Sequence, residues 1–233
     1  PETLSVSVVV SALNEAATLQ AVIEHTLAVL KQTCRDYEVI VVDDGSTDRT
    51  PAIADALAAA DPHIRVVHNP APTGYGGALE TGYRLATKDV ITLVPGDGEF
   101  SPDDVPRYLK AMAGHDVATS LVPNRGYPFY RKVLSWGWRL CMQIFLGEWP
   151  KLEGTHMIRR SLYERIPITS RSGMWQMEMM IKARRLGARM TTIDVALKPR
   201  KNLAESKVTN LRTIIKHFTE ILALRRALKT DAA

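Results

Sequence analysis

Cysteine is scarce. The 233-residue chain has two, Cys34 and Cys141, far apart in sequence. That excludes a disulfide framework and a cysteine-rich zinc site, and a reducing, cytoplasmic setting is the simplest reading. Long apolar runs are missing too, so no segment reads as a bilayer span, and no signal peptide is apparent. There is no internal repeat, no low-complexity tract and no DNA- or RNA-binding motif. Acidic residues are slightly outnumbered: Lys plus Arg is 30 against 25 for Asp plus Glu, a formal charge of +5. That balance suits an anionic ligand or an anionic membrane surface and does not by itself indicate nucleic acid.

What is present is apolar matter in a regular order. Hydrophobic residues make up 45% of the chain, enough for a sizeable core. Residues 5–10 are a short β-branched run. Asn14-Glu15 then opens a helical stretch over 16–31, and a second strand ends at Asp43. Residues 50–60 are alanine-rich and helical, and 64–68 read as a strand. Gly74-Tyr75-Gly76-Gly77 opens a helix over 78–86, and 90–94 form a fourth strand. This alternation predicts a parallel sheet with right-handed crossovers. The second half is less regular. Residues 123–128 read as a loop, 174–186 as a helix, 190–197 as a strand and 198–207 as a basic loop. Leu211, Ile214, Ile215, Phe218, Ile221 and Leu222 recur at helical spacing on a basic helix.

The most informative segment is Val39-Ile40-Val41-Val42 running into Asp43-Asp44-Gly45-Ser46-Thr47-Asp48. A buried parallel strand reads as such an apolar run, and ligands of open α/β sheets bind just past the carboxyl ends of the strands. Asp43 and Asp44 are therefore placed to hold a polar ligand. Gly45 allows the turn, and Ser46 or Thr47 can cap the next helix. A plain Asx turn at a strand end is the alternative.

These pieces, with Ser11-Ala12-Leu13-Asn14-Glu15, Gly74-Tyr75-Gly76-Gly77-Ala78-Leu79, Asp97-Gly98-Glu99, Gln176-Met177-Glu178 and Glu205-Ser206-Lys207, resemble the family 2 glycosyltransferases. Within that family the likeness is to the dolichyl- or polyprenyl-phosphate sugar synthases, and it covers roughly residues 5–222. The resemblance implies an α/β fold of GT-A type, a Rossmann-like, mostly parallel sheet flanked by helices. A GT-A domain would occupy residues 1–210, and a C-terminal amphipathic helix and tail residues 211–233.

The resemblance also implies a nucleotide-sugar donor. Ser11, Leu13, Glu15 and Asp43 would line base and ribose, with Asp44 beside them, and Gly74 and Gly76 would let backbone approach the donor. Arg200 or Lys201, with Lys207, would clamp the diphosphate, Lys as a point charge and Arg as a bidentate fork. Mg²⁺ or Mn²⁺ would neutralise the leaving diphosphate. The family's metal motif is Asp-x-Asp, and this chain reads Pro95-Gly96-Asp97-Gly98-Glu99. Pro95 replaces the first Asp, so Asp97 and Glu99 are the metal candidates, and Asp97 and Glu178 the catalytic ones. Other departures are Ser11 for Pro, Ala204 for Gly, and Leu152-Glu153-Gly154-Thr155-His156 for a Thr-Ser-Gly segment.

Arg125 and Arg131 are candidates for an acceptor phosphate. Trp136, Trp138, Phe145 and Trp149, with cations interspersed, read either as an interfacial segment on the cytoplasmic face of a membrane or as a buried helix. The processive signature Gln-x-x-Arg-Trp is absent. A phosphate acceptor needs positioning more than a base, since its second pKa is about 6, whereas a hydroxyl acceptor needs a base such as Glu153 or Glu178. The expected function is inverting transfer of a sugar to a polyprenyl phosphate. A soluble hydroxyl acceptor, or a catalytically silent nucleotide-sugar-binding partner, are the alternatives.

Overall fold

A computed structural model describes residues 4–122, 129–147, 154–196, 219–226 and 228. The chain alternates as the sequence predicts: β1 (Val6–Ala12), α1 (Leu19–Thr33), β2 (Tyr37–Asp43), α2 (Thr50–Ala60), β3 (Ile64–His68), α3 (Tyr75–Leu85) and β4 (Val90–Leu93). A 3₁₀ turn and α4 (Val105–Ala111) lead to β5 (Val117–Leu121). Then come α5 (Phe129–Leu146), β6 (His156–Arg159), α6 (Arg160–Tyr163), α7 (Met174–Arg185) and β7 (Met190–Asp194).

The seven strands run in the order β3-β2-β1-β4-β6-β5-β7. All pairs are parallel except those of β6, which is antiparallel to β4 and β5. In β1 and β2 every residue but Ser11 is buried, as strands covered on both faces should be. Side chains alternate between the faces. Val8, Val10, Val39 and Val41 pack with α1, α2 and α4 residues on one side. Val9, Ile40 and Val42 pack with α3, α6 and α7 residues on the other. A third cluster joins α5 (Met142, Leu146), α7 (Met174, Ile181) and the helical residues Ile221, Leu224 and Leu228.

Helix α3 starts at Tyr75 rather than residue 78, and three further local expectations differ from the structure. Helix α1 starts at Leu19 rather than residue 16, because residues 14–16 donate their backbone N–H groups to Ser46, Thr50 and Asp48. Neither Ser46 nor Thr47 caps α2, whose N-cap is Arg49; both bond the residue 14 loop instead. Two strands, β5 and β6, were not foreseen. Gly45 does take the left-handed conformation expected of it, at φ 74°.

Candidate functional site

The β1–α1 connection is pinned from below. Asn14 holds φ 59°, the only positive φ of a non-glycine among the described residues. Its Oδ1 accepts from the Thr47 N–H at 2.9 Å, and its own N–H donates to Ser46 Oγ at 2.9 Å. The Thr18 hydroxyl donates to the Gly96 carbonyl at 2.8 Å and lies 3.2 Å from Glu15 Oε2. The Gly96 N–H donates to the Ser11 carbonyl at 3.0 Å. The loops after β1 and β4 are thus one unit.

Between them opens a cavity of about 400 Å³ at the carboxyl ends of the central strands. Ser11, Ala12, Leu13 and Glu15 line it from the β1 side. Asp44, Gly74, Tyr75 and Ala78 line it from the end of β2 and the start of α3, and Pro95, Gly96, Asp97, Glu99 and Phe100 from the loop after β4. Leu13 and Tyr75 are 43% and 42% exposed, so they present apolar surface without a protein cover. Asp97 Oδ1 accepts the Glu99 N–H at 2.9 Å, which fixes the turn that carries both carboxylates.

Ser11, Leu13, Glu15, Asp44, Gly74, Asp97 and Glu99 therefore share one cavity. Asp43, Gly76 and Glu178 do not line it. Asp43 is buried, accepting from the Ser46 N–H at 3.1 Å, with its other oxygen 2.9 Å from His68 Nδ1. That contact, and a second to Asp55, raise the pKa of His68 above the usual imidazole value. Asp44 is also tied: it accepts from Asn69 Nδ2 at 2.8 Å, from the Thr73 N–H at 2.9 Å and hydroxyl at 2.6 Å, and from the Gly74 N–H at 3.0 Å. Arg131 falls on α5. Arg125, Arg200, Lys201 and Lys207 lie outside the described residues, as do Glu153 and Trp149.

Sequence reasoning passed over Phe100 and Tyr75 as cavity walls. Both adjoin residues that it did single out, and nothing in a motif says which neighbour faces inward. The segment from Gly154 packs against Phe100: a methyl built on Gly154 would come 2.7 Å from that ring. The Thr155 carbonyl accepts from Tyr108 and Ser120, each at 2.8 Å. His156 is fully buried between Tyr83 Oη at 2.7 Å and Gln176 Nε2 at 3.1 Å. Burial pulls its pKa down to about 3, so it is a neutral structural group near pH 7.

On α5, Met142 and Leu146 face inward while Trp136 and Ile144 are 58% and 65% exposed. The described side chains of α5 thus divide between core and surface. Among the described residues no helix is long and apolar enough to cross a membrane.

The sequence model of glycosyl transferase family 2 matches residues 7–185. The chain belongs to that family, as a glycosyltransferase of GT-A architecture. It is 32% identical over 197 residues to the undecaprenyl-phosphate mannosyltransferase of Micrococcus luteus, covering 79% of this chain and 81% of the relative. It is 32% identical over 235 residues to glycosyltransferase AglD of Haloferax volcanii, covering 94% of this chain but 36% of that protein. In fold it matches glucosyl-3-phosphoglycerate synthase of Mycobacterium tuberculosis, solved with Mn²⁺, uridine diphosphate and phosphoglyceric acid. The TM-score is 0.68 at 21% identity, covering 95% of this chain and 77% of that one.

Proposed function

We propose that the protein transfers a sugar, with inversion, from a nucleoside-diphosphate-sugar to a polyprenyl phosphate at a membrane face. The observation that carries this is the convergence of Ser11, Leu13, Glu15, Asp97 and Glu99 on one cavity at the strand ends. The similarity to an undecaprenyl-phosphate mannosyltransferase supports the acceptor class.

In this reading Leu13 and Tyr75 flank the base, and the Glu15 carboxylate accepts from the ribose hydroxyls. Asp43 backs that wall through Ser46, and Asp44 holds Gly74 in place. Arg200 or Lys201, with Lys207, clamps the diphosphate, and Arg125 and Arg131 the acceptor phosphate. The side chains present fit a divalent cation. Asp97 and Glu99 offer hard oxygen donors, and Mg²⁺-type ions are commonly held by one or two carboxylates together with substrate phosphates. Asp97 and Glu99 would hold such an ion together with oxygens of the donor diphosphate. Mg²⁺ or Mn²⁺ bound there would supply Lewis-acid neutralisation of the leaving diphosphate.

The acceptor phosphate is already largely ionised at neutral pH. The chain's task is then to hold its oxygen opposite the leaving group, which is positioning and electrostatics rather than proton abstraction. The exposed Trp136 and Ile144 of α5 suit peripheral contact with the lipid that carries that acceptor.

The test is thermal stabilisation by UDP-, GDP- and dTDP-sugars with and without Mn²⁺, followed by transfer to polyprenyl phosphate. A true donor at 100 times its Kd adds about 2.7 kcal/mol, or roughly 5–10 °C for a chain of this size. No transfer to any polyprenyl phosphate across the panel would sink the acceptor assignment.

A further inference from the structure

Glu178 is a buried carboxylate with both oxygens engaged. It is fully buried on the inner face of α7. One oxygen accepts from the Thr169 N–H at 3.1 Å and the Thr169 hydroxyl at 3.0 Å, and the other from the Ser170 N–H at 2.8 Å. Lys182, one turn on and itself buried, pairs with it at 2.9 Å. The Lys182 ammonium also donates to the Pro167 carbonyl. Residues 167–170 are thus held to α7 by one buried ion pair.

The chain that continues from there abuts the cavity wall. The Arg171 carbonyl accepts the Gly77 N–H at 3.1 Å. A methyl on Gly76 would overlap the Ser172 carbonyl oxygen and come 2.7 Å from the Arg171 carbonyl carbon and 2.8 Å from Trp175 Cβ. Trp175 Nε1 donates to Glu80 Oε2 at 2.7 Å, fixing α7 to α3 a turn further along. Gly74, Tyr75 and Ala78, on either side of this contact, line the cavity.

We propose that Glu178 is a positioning residue: through residues 169–172 it sets the start of α3 against the donor, and takes no part in proton transfer. This rests on the donor-site reading above. The geometry leaves no other role. A general base needs an oxygen within reach of the substrate and a pKa near the working pH, and both Glu178 oxygens are turned into the protein. Burial works to raise its pKa, but the contacts from Ser170, Lys182 and Thr169 prevail and hold it below the usual carboxylate range. A saturated, ionised carboxylate of this kind anchors a loop. The sequence pattern alone, an acidic residue on a helix beside the site, does not separate an anchor from a base.

The experiment compares Glu178→Gln, Thr169→Val and Gly76→Ala in the full chain. Nucleotide affinity is read by calorimetry, donor KM and kcat by transfer, and integrity by thermal melts. Thr169→Val leaves the carboxylate in place and removes one of its anchors, and Gly76→Ala disturbs the same contact from the other side. A positioning role gives graded donor losses: about tenfold in KM and nucleotide Kd for Glu178→Gln and Gly76→Ala, and about threefold for Thr169→Val. In each case kcat at saturating donor stays within a few-fold and the pH profile is unshifted. If Glu178→Gln does not fold, the other two variants carry the same test. A kcat collapse of a hundredfold or more in Glu178→Gln, with KM and nucleotide Kd unchanged and Thr169→Val silent, would overturn the proposal in favour of a base. Equal donor affinity in all three variants and the wild type overturns it as well. A wild-type protein that binds no nucleotide overturns the donor reading, and this inference with it.

Discussion

Two kinds of carboxylate stand within the same region of this molecule. Asp44 and Glu178 are buried and accept four and three hydrogen bonds respectively, mostly from backbone and hydroxyl groups of a loop. Asp97 and Glu99 sit on a turn that lines the cavity, with Asp97 accepting the Glu99 N–H. The first kind builds the wall, and the second faces whatever the wall encloses. Losing the first should cost stability, and losing the second should cost turnover.

The largest effect is expected at Asp97. Asp97→Asn keeps the shape and removes the charge, so kcat should fall about 10³-fold, a loss of about 4 kcal/mol of barrier stabilisation. The melting temperature should stay within about 2 °C of wild type, as befits a cavity-lining change outside the core. A variant that melts far lower would place Asp97 with the wall-building group instead.

Asp44→Ala should behave in the opposite way. It removes the buried acceptor shared by the half-buried Asn69 amide, the Thr73 N–H and hydroxyl and the Gly74 N–H, the last two residues being exposed. The expected cost is about 3 kcal/mol, or roughly 6–12 °C in melting temperature. Calorimetric melts of the purified variant check this. A stable variant that has only lost donor affinity would make Asp44 a ligand, and the division drawn above would fail.

Much of this was legible from the residues alone, and the reasons are specific. The parallel strands β1 and β2 are buried on both faces, so they appear as unbroken runs of Val and Ile. Strand β5 escaped notice because its Thr119 and Ser120 are buried yet polar, satisfied by β7 and by the Thr155 carbonyl. Strand β6 has four residues, starts on a buried His and has no alternation to read. The start of α1 was set by tertiary hydrogen bonds to Ser46, Asp48 and Thr50, which no local propensity records. At the site, the position of each carboxylate past a strand was readable. Whether neighbouring loops had already saturated it was not, because those donors (Asn69, Thr73 and Thr169) come from other parts of the chain.

Pro95 offers a gain-of-function check on the same division. It lines the cavity two residues before Asp97 and supplies no ligand of its own. Pro95→Asp adds a third oxygen-bearing side chain on the cavity side, and a nearby opposite charge of this sort is worth about 1 kcal/mol or more. Half-saturation by Mn²⁺, measured as activation of transfer, should fall about tenfold. An unchanged Mn²⁺ half-saturation would count against an ion held beside position 95.

The smallest expected effect lies behind the wall, at His68. Its side chain is 40% exposed and sits between Asp43 and Asp55. Those carboxylates raise its pKa in the folded protein above the unfolded value. The folded state therefore holds the proton more tightly, and the stabilisation is complete below about pH 6.5 and lost as pH rises through the raised value. His156, with its pKa pulled down to about 3, costs stability as pH falls below its unfolded value of about 6.5, but that cost is common to wild type and variant and cancels between them. Solvent screening keeps an ion pair this exposed to about 0.5 kcal/mol, or roughly 1–2 °C. Between pH 6 and pH 8.5 the wild type should lose that much more melting temperature than His68→Gln. Parallel slopes for the two proteins would show that Asp43 is held by the Ser46 N–H alone.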